Sequence, residues 1–415
     1  MRLLVATDHR FLRLPDGCVF VAQPSVAKYA LWQPYTEVFE EVVILARVRD
    51  WDGPLPPSAR ADGPGISFCP LPEYSGPGGY LRRLGSLKEL VKAAVHNSDA
   101  YIFRVPGSIG FLAWKEVKRL GRSYGVQVIG DPWDLLAPGT GTGMLRPLAR
   151  WVWTRNVRQL CREASAVAYV TREALQRAYP PDKHAFTTYF SNVELRGGWI
   201  DRTGLESRTR RIQQLSSIQS QKGGAIRLGT IGTLARLYKG PDVLLRAFAR
   251  CRERGLNIHL DLVGDGVYQS KLEALSTDLG IGESAHFLGA LPPGQAIYSF
   301  LDGLDLFVLA SRQEGLPRAM IEAMARGCPC IGTEVGGIPE LLPPEDLVPP
   351  NNIEALARKI VEVLSDPGRM ERMARRNWEN AREYLPETLA KRRREFYQKV
   401  REFAEVPKAV VVQHS

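Results

Sequence analysis

The stretch LDLFVLASRQEGLPRAMIEAMARGCPC, residues 304–330, changes its hydrophobic period halfway along. LDLFVLAS is a short continuous apolar run, as expected of a strand buried on both faces. From Pro317 to Arg326 the apolar residues recur at helical spacing instead. Pro317 suits the first position of a helix, where its missing N–H costs nothing, and Gly327 suits the C-terminal cap. Strand, Gly-containing turn, helix and the next apolar run, CPCIG, together read as one strand–helix–strand unit of a parallel sheet. The helix N-terminus then lies at the C-terminal edge of the sheet, where free N–H groups and the positive end of the macrodipole favour an anion. Glu314 stands just outside that helix. Glu322 falls near its middle, among Met320, Ile321, Ala323 and Met324. A carboxylate there is costly unless something donates hydrogen bonds to it. A ribose diol is a suitable donor pair; solvent, Arg318 or Arg326 is the alternative.

Moving outward, the same alternation recurs in both directions. RLLVAT, EVVILARV, AYIFRV, VQVIGDP and SAVAYVT precede residue 190, and IRLGTIG, NIHLDLVG, AHFLGA and CPCIGTEVG belong to the second half. Helical stretches such as GPDVLLRAFARCRERG fall between them. Between Arg196 and Gly224 the chain is polar, basic and without apolar period, as expected of an interdomain linker, with or without a short element inside it. The fold expected is α/β, with two Rossmann-like doubly wound domains facing across a cleft. The expected division is residues 1–200, a linker at 201–225, a second domain at 226–385, and a C-terminal helix and tail, 386–415, crossing back to the first domain.

Other strand ends in the second half carry the same kind of residues. In GTIGTLARLYKGPDVLLRAF a strand ends at Gly232, and Arg236 and Lys239 precede a helix starting near Pro241. Two cations beside a strand end suit a departing pyrophosphate; two solvated surface charges are the plainer reading. LVGDGVYQSKLEAL places Gly264 and Gly266 at a strand end, and GTEVGGIPELL repeats glycines before a helix-starting Pro.

Taken in order, IGTLARLYKGPDVLLRAF, LVGDG, HFLGALP, the 304–330 stretch with GTEVGGIPEL, and LVPPNN resemble the C-terminal domain of the retaining, GT-B-fold nucleotide-sugar glycosyltransferases of the family four type. The resemblance spans roughly residues 226 to 365. It implies that Glu322 binds the ribose hydroxyls and Glu314 holds the donor sugar near its reacting centre. It implies further that Gly315 and Leu316 N–H groups bind the pyrophosphate, that Lys239 contacts the same phosphates, and that the loop around Leu288 and Gly289 frames the base. Gly232 and Gly264 line the same site. The family pattern puts Arg directly after the strand-ending Gly. Here Thr233 follows Gly232, and Arg236 is expected to reach the phosphate from a shifted position. In the N-terminal half the family's paired glycines are reduced to Gly17 in TDHRFLRLPDGCVFV. Asp131 and Asp134, in VIGDPWDLLAPG, stand where many members have a His.

The 415 residues, 44% hydrophobic and 24% charged, fit a soluble globular chain of two domains. Met1 is followed by an apolar run too short for a signal peptide, and no run is long enough to span a bilayer. The six cysteines are scattered, and CPC lacks a second pair for zinc. These features point to a reduced, cytoplasmic protein. The net charge of +10 suits phosphorylated small molecules or anionic lipid. Nucleic-acid motifs are missing. In WVWTRNVRQLCR, Trp153, Val157, Leu160 and Cys161 share a face opposite Arg155, Arg158 and Arg162. Packing on a sheet is the first reading of that helix, and a membrane surface the second. The run Lys391–Arg394 reads as a solvated face, with anionic lipid again second. By resemblance, the expected function is a retaining hexosyl transfer from a UDP- or GDP-sugar, with no further cofactor or metal, to a glycan, lipid-linked or small-molecule acceptor. Cell-envelope or exopolysaccharide biosynthesis is the expected setting, on the inner face of the membrane. A GT-B nucleotide-sugar epimerase or an inactive nucleotide-sugar-binding homologue is the alternative.

Overall fold

A computed structural model describes residues 1–22, 28–136, 146–193, 195, 200–215 and 224–406. The chain divides into two compact units. Described residues up to Phe190 and from Ala390 onward form the first, and those from Ser191 to Leu389 the second.

The first unit is built on an eight-stranded sheet. Its strands are β1 (Arg2–Arg13), β2 (Val19–Val21), β3 (Glu41–Asp50), β4 (Ile66–Leu71), β5 (Ala100–Val105), β6 (Gly125–Val128), β7 (Ala166–Tyr169) and β8 (Phe186–Tyr189). The order β4-β3-β1-β5-β6-β7-β8 is parallel throughout, and β2 pairs antiparallel with β1. All six residues of β5 are buried, as in a strand covered on both faces. Helices Gly76–His96, Ser108–Arg119 and Arg146–Glu163 pack Val91, Trp114, Val117, Val157 and Leu160 against Leu4, Phe103 and Val126. In the C-terminal helix Pro386–Glu405, Phe396 and Tyr397 are buried, and the Tyr397 ring stacks on Tyr35 at 4.3 Å.

The second unit has a six-stranded, all-parallel sheet. It comprises β9 (Ile226–Ile231), β10 (Ile258–Val263), β11 (Ala285–Phe287), β12 (Leu306–Leu309), β13 (Cys330–Thr333) and β14 (Leu347–Val348), in the order β11-β10-β9-β12-β13-β14. Leu228 of β9 faces Leu260 on one side and Leu306 on the other. Helix Pro241–Glu253 buries Leu244 and Phe248, and helices Ile353–Leu364 and Pro367–Ala381 add Ile360 and Met370. In each sheet the strand order reverses once, at β1/β5 and at β9/β12. Such a switch point parts the loops and leaves a crevice outside the carboxyl ends of the strands.

Three expectations need correction. Residues 201–225, read as linker, contain the helix Arg202–Gln213. Its Leu205, Arg208, Thr209 and Ile212 are buried at helical spacing. Arg208 donates to the carbonyls of Leu301 (2.7 Å) and Leu304, and Arg211 grips the buried Asp305 at 2.6 and 3.0 Å. Basic residues here satisfy a helix end and a buried carboxylate, so their polarity did not mark a linker. The stretch TDHRFLRLPDGCVFV, expected as a loop after the first strand, is a strand and hairpin instead. The strand bulges between Ala6 and Arg10, continues to Arg13, and turns at Gly17 (φ +85°) into β2. Finally, helix Arg318–Ala325 starts one residue later than expected, with Pro317 as its N-cap at ψ 108°.

Candidate active site

The loops at the β9/β12 switch point bring together residues far apart in the chain. After β9, Gly232 leads through a single 3-10 turn, Leu237–Lys239, into helix Pro241–Glu253. The Lys239 stem crosses Gly232, where a Cβ would stand 3.1 Å from Lys239 Cγ. Its Nζ donates to Glu314 Oε1 at 2.7 Å, and Ser311 Oγ donates to the same oxygen at 2.7 Å. The Glu314 side chain is only 6% exposed, so these donors hold the carboxylate in place.

Arg312 fastens the two loops to each other. Its backbone N–H donates to Tyr238 O (2.7 Å), and Nη1 donates to Leu237 O (2.5 Å). The guanidinium also grips both oxygens of Asp242 at 2.8 and 2.7 Å, and Nε reaches Asn351 Oδ1 at 2.6 Å. A planar fork satisfies carbonyl and carboxylate together, which an ammonium could not do. Beneath Glu314, Gly337 N–H donates to Gly315 O at 2.7 Å, and Thr333 Oγ1 to Ser311 O at 2.6 Å. Gly336, at φ +53°, lies so close that a Cβ would stand 1.8 Å from Glu314 O; only glycine fits.

On the other side, a Cβ on Gly264 would stand 1.9 Å from Gly232 O, so the loops after β9 and β10 are in contact. Gly264 N–H donates to Gly289 O at 2.8 Å and Leu288 N–H to Leu262 O at 2.9 Å, which joins the loop after β11. Leu288 is exposed. Gly232, Gly264, Leu288, Gly289, Lys239, Glu314, Gly315 and Leu316 thus line one sheet edge. Glu322 follows one turn into helix Arg318–Ala325 and is partly buried. Thr233 Oγ1 is taken up locally, accepting from Ala235 N–H at 3.1 Å and donating to Asp265 O at 3.4 Å. Arg236 is exposed on the bend before Lys239.

In the first unit, Gly17 sits exposed at the hairpin tip. In the chain it lies beyond the end of the β1–β5 pairing at Ala6. Asp131 caps helix Pro132–Leu135, accepting from Trp133 N–H at 2.7 Å and from the Tyr179 hydroxyl. Asp134 is pushed up to about 6, first by burial and then by Asp131, with Arg150 opposing. The residues at the β1/β5 switch point are others, signalled in the sequence only by TDH after RLLVAT. Asp8 accepts from Ser108 Oγ (2.9 Å) and Ile109 N–H (3.3 Å), and Arg47 Nη2 donates to its backbone O at 2.6 Å. Burial raises the Asp8 carboxyl even against Arg47. The His9 ring shares a 2.7 Å hydrogen bond between Nδ1 and Thr7 Oγ1. Burial, then Arg104 and Arg47, lowers it to about 4, so the imidazole is neutral at pH 7. Among the described residues no group of three or more His, Cys, Asp or Glu could hold a metal ion.

Cations, a buried carboxylate and backbone amides at a strand-to-helix edge are the kind of chemistry that favours a phosphorylated ligand. Residues 214–383 match the profile of the family described as glycosyl transferases group 1. Protein CapJ of Staphylococcus aureus is 25% identical over 80% of this chain and 79% of its own. The putative colanic acid biosynthesis glycosyltransferase WcaL of Escherichia coli is 32% identical over 31% of this chain and 34% of its own. Among solved structures, Anabaena Alr3699/HepE in complex with UDP and glucose matches 97% of this chain and 98% of its own, with a TM-score of 0.62 at 19% identity. Residues 214–383 thus carry a domain of the glycosyl transferases group 1 kind, and the chain shares the fold of that solved structure.

Proposed function

We propose that this chain transfers a hexose, with retention of anomeric configuration, from a UDP- or GDP-sugar to a glycan, lipid-linked or small-molecule acceptor. The observation that carries the reading is the Lys239–Glu314 pair at 2.7 Å beside the helix starting at Arg318. A cation, a fixed carboxylate and a helix N-terminus side by side suit a diphosphate and its sugar. In the proposed reaction the acceptor hydroxyl attacks C1 from the face the leaving group departs. The C1–O bond to phosphate breaks, its electron pair stays on the phosphate oxygen, and that oxygen takes the acceptor proton. Lys239 and the Gly315 and Leu316 N–H groups stabilise the growing charge, with Arg236 reaching the same phosphate from its bend. Glu322 accepts from the ribose hydroxyls. No metal is needed for these roles.

The first unit would orient the acceptor, with Asp131 and Asp134 beside Asp8 and His9 as candidate contacts. The names of relatives such as WcaL support a place in cell-envelope or exopolysaccharide biosynthesis. Among the described residues no helix is long and apolar enough to cross a membrane. A cytoplasmic enzyme in peripheral contact with an anionic membrane is the arrangement proposed. Calorimetric titration with UDP, GDP, ADP and CMP tests the donor reading: micromolar binding of one diphosphate is expected, and binding of none would sink it. NMR of the product tests retention, and an inverted anomer would rule it out.

A further inference from the structure

Ten large hydrophobic side chains are exposed among the described residues, and four of them lie on two adjacent helices of the first unit. Trp133 (48% exposed) and Leu135 (48%) come from helix Pro132–Leu135. Leu148 (58%) and Trp151 (55%) come from the first turns of helix Arg146–Glu163. Scattered exposed apolar residues are ordinary, but two tryptophans and two leucines together are not. Arg150 ties the helices together. Its Nε donates to Trp133 O at 2.6 Å, and its guanidinium lies 3.6 Å above the Trp133 ring. Arg155, one turn beyond Trp151, has its guanidinium 5.5 Å from that ring.

The buried side of the longer helix is accounted for: Thr154, Val157, Leu160 and Cys161 face the core. Its outer side carries the exposed Arg155, Arg158 and Arg162, Arg146 and Arg150 are half-buried at its start, and its single carboxylate, Glu163 at the last position, is held by Lys118 at 2.6 Å. On the shorter helix Asp131 is occupied by Tyr179 and Trp133 N–H, and Asp134 titrates near 6, so it is partly neutralised where the local pH is low.

We infer that Trp133, Leu135, Leu148 and Trp151, with the arginines around them, form the surface by which this protein docks on an anionic lipid bilayer. Indole rings settle at the headgroup level, leucines enter the acyl boundary, and arginine stems follow while their guanidinium groups meet lipid phosphates. A second copy fits poorly, because a two-fold contact through this face would set the same arginines against each other. The inference specifies the membrane contact proposed above and assumes nothing about the donor.

Co-sedimentation with vesicles of phosphatidylcholine containing about a quarter phosphatidylglycerol, against phosphatidylcholine alone, tests it. Binding should require phosphatidylglycerol and weaken with salt. The double substitution Leu148→Ser/Trp151→Ser should reduce it about tenfold or more. Arg155→Glu, at an exposed position, should do so by about tenfold and carries the test should the double variant fold poorly. Circular dichroism and nucleotide titration of each variant separate loss of docking from loss of fold or of the donor site. No binding to the anionic vesicles, or equal binding by wild type and Arg155→Glu, would overturn the inference. So would a dimer in sedimentation velocity that Leu148→Ser/Trp151→Ser dissolves, since the face would then join two copies.

Discussion

Lys239→Ala removes the cation at the centre of the second unit's sheet edge and should act on stability and turnover separately. In the free protein, Glu314 would keep only the Ser311 hydroxyl, with its side chain 6% exposed. Breaking a buried pair by deleting one partner costs about 3–5 kcal/mol. Lys239 itself is 20% exposed and Ser311 remains, so about 2–3 kcal/mol is expected here. For a unit of this size each kcal/mol lowers Tm by about 2–4 °C, giving a drop of about 5–10 °C in a thermal scan without ligand. In the donor complex the lost charge is one that develops fully only as the C1–O bond breaks. A single preorganised donor of this kind contributes about 10²–10³ in kcat. Donor Kd, from calorimetry, should change far less than kcat, from single-turnover kinetics. Lys239→Arg should restore stability better than turnover, because a longer planar group keeps a charge near Glu314 but shifts it from the phosphate. The reasoning is refuted if Kd and kcat fall by the same factor, which would make Lys239 a binding residue only. An unchanged Tm would show that the 2.7 Å pair contributes nothing to the free protein.

Glu322→Ala should weaken nucleotide diphosphate binding by about 10–100-fold, the loss of two hydrogen bonds to a carboxylate; an unchanged Kd would remove the ribose assignment. Arg312→Ala strips Asp242 and the Leu237 carbonyl of their partner and should cost about 2 kcal/mol, with kcat falling alongside as the Lys239 loop loosens. Arg312→Lys should recover little of either, and full recovery in denaturation and turnover assays would show that charge alone suffices. Gly336→Ala should push the Glu314 backbone outward and lower donor affinity in the same titration, and wild-type affinity would contradict the close approach. For Asp134 the folded carboxyl titrates near 6 against an ordinary 3.8, so its favourable share of stability is present below pH 3.8 and lost as pH rises through 6. Asp134→Asn should therefore raise the denaturation midpoint by about 1–2 kcal/mol near pH 8 and leave it unchanged near pH 3.5. Equal midpoints at the higher pH would refute the shift.

Much of the fold was legible because burial leaves a periodic trace in neighbouring residues. LDLFVLAS and AYIFRV read as strands covered on both faces, and β12 and β5 are buried along their whole lengths. β4, with ISFCPL, and β8, with FTTY, were not singled out, because edge strands are half exposed and carry weaker patterns. Helix Arg202–Gln213 was hidden by its own chemistry. Arg208 is buried to serve the carbonyls of Leu301 and Leu304, which come nearly a hundred residues later. A window of a dozen residues cannot distinguish such an arginine from one facing water.

The site divides along the same line. EGLPRAMIE, followed by the strand CPCIG, by itself determined a turn, a helix N-terminus and two carboxylates in fixed relation, because those features depend on residues within two or three turns of each other. That Lys239 Nζ meets Glu314 across 75 residues, that Arg312 clamps the loop carrying Lys239, and that Gly336 lies against the Glu314 carbonyl were decided only in three dimensions. The order β10-β9-β12-β13 sets which loops become neighbours, and strand order is a property of the whole sheet. In the first unit the same rule moved attention from Gly17 to Asp8 and His9. The continuation of β1 put Gly17 at a hairpin tip, and the pairings with β3 and β5 break after Ala6, just before Thr7–His9.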